Sequence, residues 1–392
     1  DQFGYPLQSI DPMKRLSERP SHTIIIHDEQ DKFTKHSISA KAAQDIVHVE
    51  LVPGNTIDVQ VAAKGGGSEN KSIMAMLNPS DSIVEWVKKT VPTMGAGWCL
   101  PGMLGIGIGA AINGLKPVMV HQRMDFFLLA MDQLVNSAAK WNYMFNGQRS
   151  VPITIRLIVG RGWGQGPTHA QNLQAWFAHI PGLKVVMPTT PEEARGMLLQ
   201  SIVDPNPVVF IEHRWLHGQT GIVRDTPTPI PIDKAVMRRS GTDISLVAMS
   251  YQVVEALRAA SALEQQGISA EVIDLCSIRP IDWPTILQSV EKTGRILALD
   301  SGALTGSVSS EVVAKVSETC FSSLKSAPAR MGLPDHPEPT SYGLTKDFYY
   351  GADKIAIKAH EMVLGECEAE RYAGLAGTGH HDVPGDYFKG PF

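Results

Sequence analysis

The chain has 392 residues, of which 43 % are apolar and 19 % are charged, a balance that suits a globular protein with a large buried core. This length predicts two or three domains. The net charge of −5 and the lack of a basic tract give no sign of nucleic-acid binding. No apolar run approaches the roughly 20 residues of a membrane-spanning helix, so we expect no membrane partner.

The four cysteines are scattered and show no CxxC spacing: Cys99, Cys276, Cys320 and Cys367. This spacing argues against a disulfide framework and against a zinc site, and it fits a reducing compartment. The N-terminal residues lack the apolar stretch of a signal peptide. We therefore expect a bacterial cytoplasmic or mitochondrial matrix protein, and not a secreted one.

Residues 1–46 are predicted to be poorly organised, apart from a β-like run at 23–27. Residues 46–63 alternate between apolar and polar on both sides of Pro53-Gly54-Asn55, which predicts a β-hairpin. The following KGGGSENK could offer backbone N–H groups to a carboxylate or phosphate, or could simply be a flexible turn. Residues 81–90 are predicted to form an amphipathic helix.

The Gly-rich segment 95–109 is predicted to form a turn and a strand-like run, before a buried strand at 117–121. Residues 125–145 are apolar on more than half of a helix circumference, as at a subunit interface. Strands at 153–159, 185–187 and 208–212, with a helix at 191–203, predict an α/β fold with a doubly wound parallel sheet. Ligands of such sheets bind at the carboxyl ends of the strands.

The loop after the strand at 153–159 reads GRGWGQGPTHAQNLQAWFAH. Its glycines would let the backbone approach a ligand closely. His169 lies where this loop should enter a helix, so it is a candidate for proton transfer. The alternative interpretation, a surface loop with an ordinary histidine, remains open on the pattern alone.

Residues 218–232 are rich in Pro, Thr and Gly and are interpreted as an interdomain linker. A second α/β unit is predicted at 233–365, followed by a tail at 366–392. Its predicted elements are strands at 244–249, 270–274 and 295–299 and helices at 253–266, 283–292 and 309–319.

Several stretches between residues 110 and 365 resemble one known family. They include GLKPVMVHQRMDFFLLAMDQLVNSAAKW, GRGWGQGPTHAQNLQAWFAHIPGLKVVMP, DPNPVVFIEHRWLHG, SAEVIDLCSIRPID and LPDHPEPTSYGLTKDFY. The resemblance is to the beta subunit of the thiamine-diphosphate-dependent 2-oxo acid dehydrogenases, in the transketolase superfamily. It implies a pyrimidine-binding domain at 110–217 and a transketolase C-terminal domain at 233–365.

The resemblance also implies roles for individual residues. His169 matches the active-site histidine near the acyl-transfer end, Phe126 matches the aromatic residue that packs on the cofactor's pyrimidine, and Gln122 lies nearby. The position of the carboxylate that activates the cofactor is occupied by Leu100, so we expect impaired activation. Nearby carboxylates, within the preceding segment, are Glu85 and Glu69.

The family further implies thiamine diphosphate with Mg²⁺, shared with an alpha subunit, because this chain lacks the GDG-type diphosphate motif. Partners would be that alpha subunit, a lipoyl acyltransferase core and a second beta subunit within an α2β2 assembly. Asp204 and Asn206 match a loop that binds a structural monovalent cation such as K⁺ in some relatives, although a capped turn is an equal alternative.

Residues 47–109 are similar to a different family, the alpha region of class I fumarases and tartrate dehydratases, which implies an α+β segment. The join lies within GIGIGAAINGLKP, so the chain has the pattern of a mosaic. A carboxylate-recognition role is implied for five residues: Lys64, Ser68, Glu69, Asn70 and Lys71.

Cys99 matches one ligand of that family's iron–sulfur cluster, but no cysteine precedes it, so a complete cluster is not expected. The sequence thus favours a 2-oxo acid dehydrogenase beta subunit of impaired activity. Two alternatives remain, an iron–sulfur hydro-lyase and a non-catalytic interaction protein.

Overall fold

A computed structural model describes residues 96–162 and 164–376, together with the backbone of three strands nearer the N-terminus; side chains are described from Leu100 onward. The described residues form these strands, in chain order: β1 Thr23–Asp28, β2 Val47–Val52, β3 Thr56–Val61, β4 Lys116–His121, β5 Thr154–Val159, β6 Lys184–Val186, β7 Val208–His213, β8 Val236–Arg239, β9 Ile244–Ala248, β10 Ala270–Asp274, β11 Ser277–Arg279, β12 Ile296–Ala303 and β13 Ala329–Leu333.

The first sheet has the order β11-β6-β7-β5-β4-β1-β3-β2 and is parallel except at its two ends. The predicted hairpin is confirmed, because β2 and β3 pair antiparallel on either side of residues 53–55. Strand β1 pairs in parallel with both β3 and β4. The N-terminal strands therefore extend the same sheet that β4, β5, β6 and β7 form.

The second sheet has the order β13-β12-β9-β10-β8 and is parallel apart from β8. The α/β fold expected for residues 110–217 and for residues 233–365 is confirmed. Residues 218–232 contain no helix or strand, in agreement with a linker. However, β11 follows the linker in the chain and pairs with β6, so the second unit contributes a strand to the first sheet.

Helices cover both sheets. The α-helices are Ala96–Ile112, Met124–Phe127, Ala139–Met144, Gln174–His179, Pro191–Val203, Tyr251–Glu264, Trp283–Thr293, Val308–Thr319, Tyr342–Thr345 and Ala352–Leu364. Between Met124 and Met144 the winding changes to a 3-10 turn at Leu128–Ala130 and a π-helix at Gln133–Ala138. The single helix predicted at 125–145 is thus a helical segment of mixed winding.

The strand-like interpretation of residues 95–109 is wrong, because Ala96–Ile112 is an α-helix. Glycine usually costs a helix about 1 kcal/mol relative to alanine. Here a Cβ atom on Gly107 would lie 3.1 Å from Ile153 Cδ1 and 3.1 Å from Met119 Sδ. The small residue lets the helix lie close against β4 and the residues before β5, and this packing outweighs the low propensity.

The tail interpretation of residues 366–392 is wrong for its first part. Ala369–Leu375 forms 3-10 turns that pack on the second unit. Tyr372 is only 2 % exposed, and its hydroxyl lies 2.8 Å from His360 Nδ1. Residues 377–392 lie outside the described part of the chain. Across the described residues, no helix combines the length and the apolar character needed to cross a bilayer.

Candidate active site

The glycine loop begins where β5 ends, at the carboxyl edge of the first sheet. Gly160 has φ +137°, and a Cβ atom there would lie 2.8 Å from Arg214 Cγ. Gly166 has φ +65°, and a Cβ atom there would collide with Thr340 Oγ1. The close approach predicted for this loop is therefore real, but the groups that come close in this structure belong to the chain itself.

His169 follows the 3-10 turn Gly166–Thr168 and is exposed. Its ring lies edge-on to Phe126, with 5.4 Å between ring centroids and an interplanar angle of 89°. The Thr168 hydroxyl lies 2.9 Å from His169 Nδ1. The structure thus brings together two residues that are 43 positions apart and that the sequence nominated separately.

Two amide side chains fasten the loop that carries His169. Gln171 Nε2 donates to Asp125 Oδ1 at 2.8 Å, beside Phe126. Gln174 is fully buried, and its Nε2 donates to Asp300 Oδ1 at 2.6 Å, across 126 residues of chain. The first bond ties the loop to the Phe126 helix, and the second ties it to the second unit.

Asp300 is the anchor of the second bond and is completely buried. Burial raises the pKa of its carboxyl group, and hydrogen bonds from the backbone N–H groups of Gly302 and Ser309 and from Gln174 oppose that rise. Its backbone carbonyl also accepts a hydrogen bond from the Tyr350 hydroxyl at 2.6 Å. Asp300 is therefore a buried residue whose carboxylate and backbone carbonyl both accept hydrogen bonds.

Aromatic side chains lie beneath the loop. The guanidinium of Arg161 lies 4.6 Å from the ring centroid of Trp215 and 4.1 Å from that of Tyr349. The imidazole of His213 stacks on Tyr251, with 4.9 Å between ring centroids. Burial lowers the pKa of His213 well below its usual value, and the positive charge of Arg161 lowers it further.

Two more arginines meet at the same edge. Arg123 follows β4 and Arg214 follows β7, and both are buried, at 5 % and 7 % exposure. Arg123 Nη2 donates to Gln165 Oε1 at 2.7 Å, and Arg214 Nη1 donates to the same atom at 2.9 Å. Neither arginine was predicted as a site residue from the sequence, although both lie within two residues of the end of a strand in a parallel sheet, where ligands bind.

The matching family models divide the chain in the same places as the fold. The transketolase pyrimidine binding domain matches residues 101–219, and the transketolase C-terminal domain matches residues 233–355. Fumarate hydratase (Fumerase) matches residues 30–125. The first and third matches overlap over residues 101–125, which includes most of the helix Ala96–Ile112 and all of β4.

Three relatives decide the family. The chain is 38 % identical over 262 residues to the beta subunit of acetoin:2,6-dichlorophenolindophenol oxidoreductase from Cupriavidus necator, covering 67 % of this chain and 78 % of the relative. It is 43 % identical over 249 residues to the mitochondrial pyruvate dehydrogenase E1 component subunit beta of Pisum sativum, covering 62 % and 69 %. It is 38 % identical over 260 residues to the 2-oxoisovalerate dehydrogenase subunit beta of Bacillus subtilis, covering 66 % and 80 %.

The chain belongs to the family of 2-oxo acid dehydrogenase beta subunits. A solved structure described as a split gene transketolase, inactive beta4 tetramer, covers 91 % of this chain and 96 % of its own. Its TM-score is 0.60 at 19 % identity, so it supports the fold alone.

Leu100, which was predicted to occupy the position of the cofactor-activating carboxylate, has apolar surroundings. It lies in the helix Ala96–Ile112, is 6 % exposed and belongs to the large apolar cluster that spans both units. Phe126 is half-buried and packs against that same cluster. A leucine side chain can neither accept nor donate a proton. The Glu69 and Glu85 side chains lie outside the described residues.

The monovalent-cation interpretation of Asp204 and Asn206 is not supported by the geometry. Asp204 is 4 % exposed, and its Oδ2 forms an ion pair with Lys184 Nζ. Its Oδ1 accepts the Asn206 backbone N–H at 2.9 Å. An ammonium group therefore already occupies the place beside the carboxylate, and the alternative, a capped turn, describes these residues better.

The fumarase-like candidates cannot be placed. Lys64, Ser68, Glu69, Asn70 and Lys71 lie outside the described residues, as does the side chain of Cys99. The three described thiols are not brought together. Cys276 and Cys320 lie in different apolar clusters, and Cys367 packs against a third. Among the described cysteines there is thus no set of iron–sulfur ligands.

Gln122 is half-buried directly after β4, between the buried side chains of His121 and Arg123. Phe126, which contacts His169, lies four residues further along the chain. The structure therefore places Gln122 at the correct edge of the sheet, and its role in the pocket stays a prediction.

Proposed function

We propose that this beta subunit takes part in thiamine-diphosphate-dependent oxidative decarboxylation of a 2-oxo acid, with the acyl group passed to lipoamide. The observation that carries the proposal is the edge-on pair of Phe126 and His169 at the carboxyl edge of the sheet. An exposed imidazole beside a half-buried aromatic ring can exchange protons with a substrate that lies against that ring.

The residues around this pair suit binding of the cofactor better than its activation. Thiamine diphosphate, when bound, would supply a nucleophile for the substrate carbonyl and an electron sink for the electron pair released on decarboxylation. Phe126 offers a surface for its pyrimidine ring, but the position of the activating carboxylate holds Leu100, within an apolar cluster. Binding is therefore compatible with these residues, whereas activation is not.

The proposal requires other chains. An alpha subunit would supply the groups that hold the diphosphate and Mg²⁺, and a lipoyl acyltransferase core would accept the acyl group. Asp204 does not support a role for K⁺, because its carboxylate is already paired with Lys184. The location proposed is the bacterial cytoplasm or the mitochondrial matrix.

A homodimer of beta subunits within α2β2 is part of the proposal. The segment after Phe127 exposes large apolar side chains to solvent: Leu129 57 %, Tyr143 79 %, Met144 57 % and Phe145 45 %. Neighbouring exposed apolar groups of this size are typical of surfaces that another subunit covers. This supports the interface role that the sequence analysis assigned to the segment.

We infer that the natural chain has low thiamine-dependent activity because of Leu100. The test is to assemble the full chain with an alpha subunit of a relative and to measure acylation of a free lipoyl domain by mass spectrometry. The natural chain, Leu100→Glu and Leu100→Gln are compared. Only Leu100→Glu should restore turnover, because glutamine matches its size but has no carboxylate.

Two outcomes contradict this reading. Ordinary turnover by the natural chain would show that another carboxylate activates the cofactor. Failure of all three proteins, despite α2β2 assembly seen by size-exclusion chromatography, would favour the non-catalytic alternative. Brown colour after anaerobic reconstitution with iron and sulfide would instead favour the hydro-lyase alternative.

A further inference from the structure

A segment of the second unit lies against the glycine loop of the first. Residues 334–341 follow β13, precede the helix Tyr342–Thr345 and contain no helix or strand. Thr340 of this segment packs on two glycines. A Cβ atom on Gly164 would lie 3.2 Å from the Thr340 carbonyl oxygen, and a Cβ atom on Gly166 would collide with Thr340 Oγ1. The second unit therefore packs directly on the backbone of the loop that carries His169.

Gly166 is bonded to His169 through the backbone. It begins the 3-10 turn Gly166–Thr168, and its carbonyl oxygen accepts the His169 N–H at 3.3 Å. Gly166 has φ +65°, a conformation that glycine adopts without the strain that a side chain would add. Packing of Thr340 on Gly166 therefore also holds the group that fixes the His169 backbone.

The same segment approaches the residues that follow His169. Glu338 is half-buried, and burial raises the pKa of its carboxyl group. The negative charge of Asp125 raises this pKa further, while the Glu338 backbone N–H and His336 lower it. Asp125 accepts the side-chain N–H of Gln171, two residues beyond His169. The segment therefore lies near the loop both before and after His169.

The start of the segment is fixed to the second unit. Thr305, two residues after β12, donates its hydroxyl to Asp335 Oδ2 at 2.6 Å and its backbone N–H to Asp335 Oδ1 at 3.1 Å. The His336 ring packs on the buried ring of Phe348, with 4.8 Å between ring centroids. Residues 334–341 are thus held at one end by the second unit and contact the first unit at the other.

We propose that Thr340 is a positioning residue: residues 334–341 hold Gly166, and through it the His169 backbone, where the imidazole meets Phe126. His169 is exposed, so support of its backbone contributes more to its position than burial of its ring. The value of this position for catalysis rests on the proposed function. The position itself can be measured without turnover, so an inactive chain would contradict the proposed function and leave this proposal standing.

The test compares the natural full chain with Thr340→Gly and Thr340→Ser by NMR and amide hydrogen exchange. Glycine removes the Oγ1 and Cβ atoms that lie against Gly166, whereas serine keeps both. In Thr340→Gly we expect exchange of the His169 amide to become about three- to tenfold faster, because one protecting contact is lost. The His169 ring protons should also shift, because their position beside Phe126 relaxes. Thr340→Ser should keep the natural values.

Thr226→Gly is the matched control, because Thr226 is also an exposed threonine in an irregular segment. It should leave the His169 exchange rate and ring signals unchanged. Natural His169 values in Thr340→Gly, or equal changes in Thr226→Gly, would overturn the proposal.

A further variant tests the segment from its fixed end. Thr305→Val keeps the size of the side chain but removes the hydroxyl that Asp335 accepts. We expect faster exchange of the His169 amide here too, because the whole segment is loosened. Thr319→Val is the control, since the exposed Thr319 hydroxyl bonds within its own helix, to the Lys315 carbonyl. An unchanged His169 amide in Thr305→Val would show that residues 334–341 do not hold the loop.

Discussion

The two sides of the candidate active site differ in how they are held. On the His169 side, hydrogen bonds fix the loop to Asp125 and to Asp300, and Thr340 packs on its glycine. Around Leu100, at the predicted position of the activating carboxylate, a helix packs on the sheet through apolar contacts. Apolar packing requires only volume, whereas proton transfer requires a specific atom. One side can therefore lose its chemistry while the fold is preserved.

The largest expected effect concerns His169 in the Leu100→Glu background. We expect His169→Ala to lower lipoyl acylation by about 10²- to 10⁴-fold there, the usual contribution of a general acid or base. In the natural chain the same substitution should change little, because Leu100 already limits the reaction. His179→Ala, an exposed histidine, is the control. Equal losses of acylation in the natural chain and in Leu100→Glu would show that Leu100 does not limit the reaction.

The next effect is on stability. Asp300→Leu would leave the buried Gln174 amide and the N–H groups of Gly302 and Ser309 without their acceptor. We expect the free energy of unfolding to fall by about 3–5 kcal/mol, measured by urea denaturation. Asp335→Leu, at an exposed carboxylate that accepts from Thr305, should lose less. A loss as small as that of the control would mean that Asp300 does not anchor the loop.

The buried His213 makes stability depend on pH. Its lowered pKa keeps the folded imidazole neutral, while the unfolded chain binds a proton below about pH 6.5. The unfolded state then holds more protons, so the free energy of unfolding falls as pH decreases, by up to about 1.4 kcal/mol per pH unit.

His213→Asn should flatten this dependence between about pH 6.5 and 5. Asparagine does not titrate and can still accept the Trp215 N–H that His213 Nδ1 accepts now. Thermal unfolding across this range measures the difference, with His179→Asn as an exposed control. Parallel pH profiles for the natural chain and His213→Asn would exclude His213 as the source.

The smallest effect tests the bond beside Phe126. Gln171→Leu removes the donor to Asp125 and should cost about 1 kcal/mol of stability. The His169 ring protons should also shift in NMR spectra, because their position over the Phe126 ring would relax. Gln148→Leu, in an exposed turn, should leave those protons unchanged. Unshifted His169 signals in Gln171→Leu would show that the pair is held by packing alone.

Much of the fold was predictable from local patterns. The alternation on either side of Pro53-Gly54-Asn55 predicted the β2–β3 hairpin, and apolar runs predicted β4, β5 and β7. The segment 95–109 was misassigned because glycine has low helix propensity, and only its contact with the sheet explains the helix. Local sequence cannot report a distant packing partner.

In the candidate site, too, motifs identified individual residues but did not predict contacts between distant ones. His169 and Phe126 were assigned separately through motifs, and the structure brings their rings into contact, while their roles stay predictions. The Gln174–Asp300 bond joins residues 126 positions apart and has no sequence signal. For Asp204 the motif left a cation site and a capped turn open, because it does not show that Lys184 lies opposite. Pairings across the fold decide what a charged residue does.

Strand β11 has a practical consequence for dissection of this protein. Residues 218–232 lead from the first unit into the second. Later in the chain, β11 (Ser277–Arg279) pairs with β6 of the first sheet. A protease that cuts the connecting segment would therefore give a nicked complex that migrates as one particle. A first unit expressed alone would leave β6 with an open backbone edge, and such edges recruit other chains into aggregates. Residues 218–232 separate the two units along the sequence, but we expect the two units to fold together.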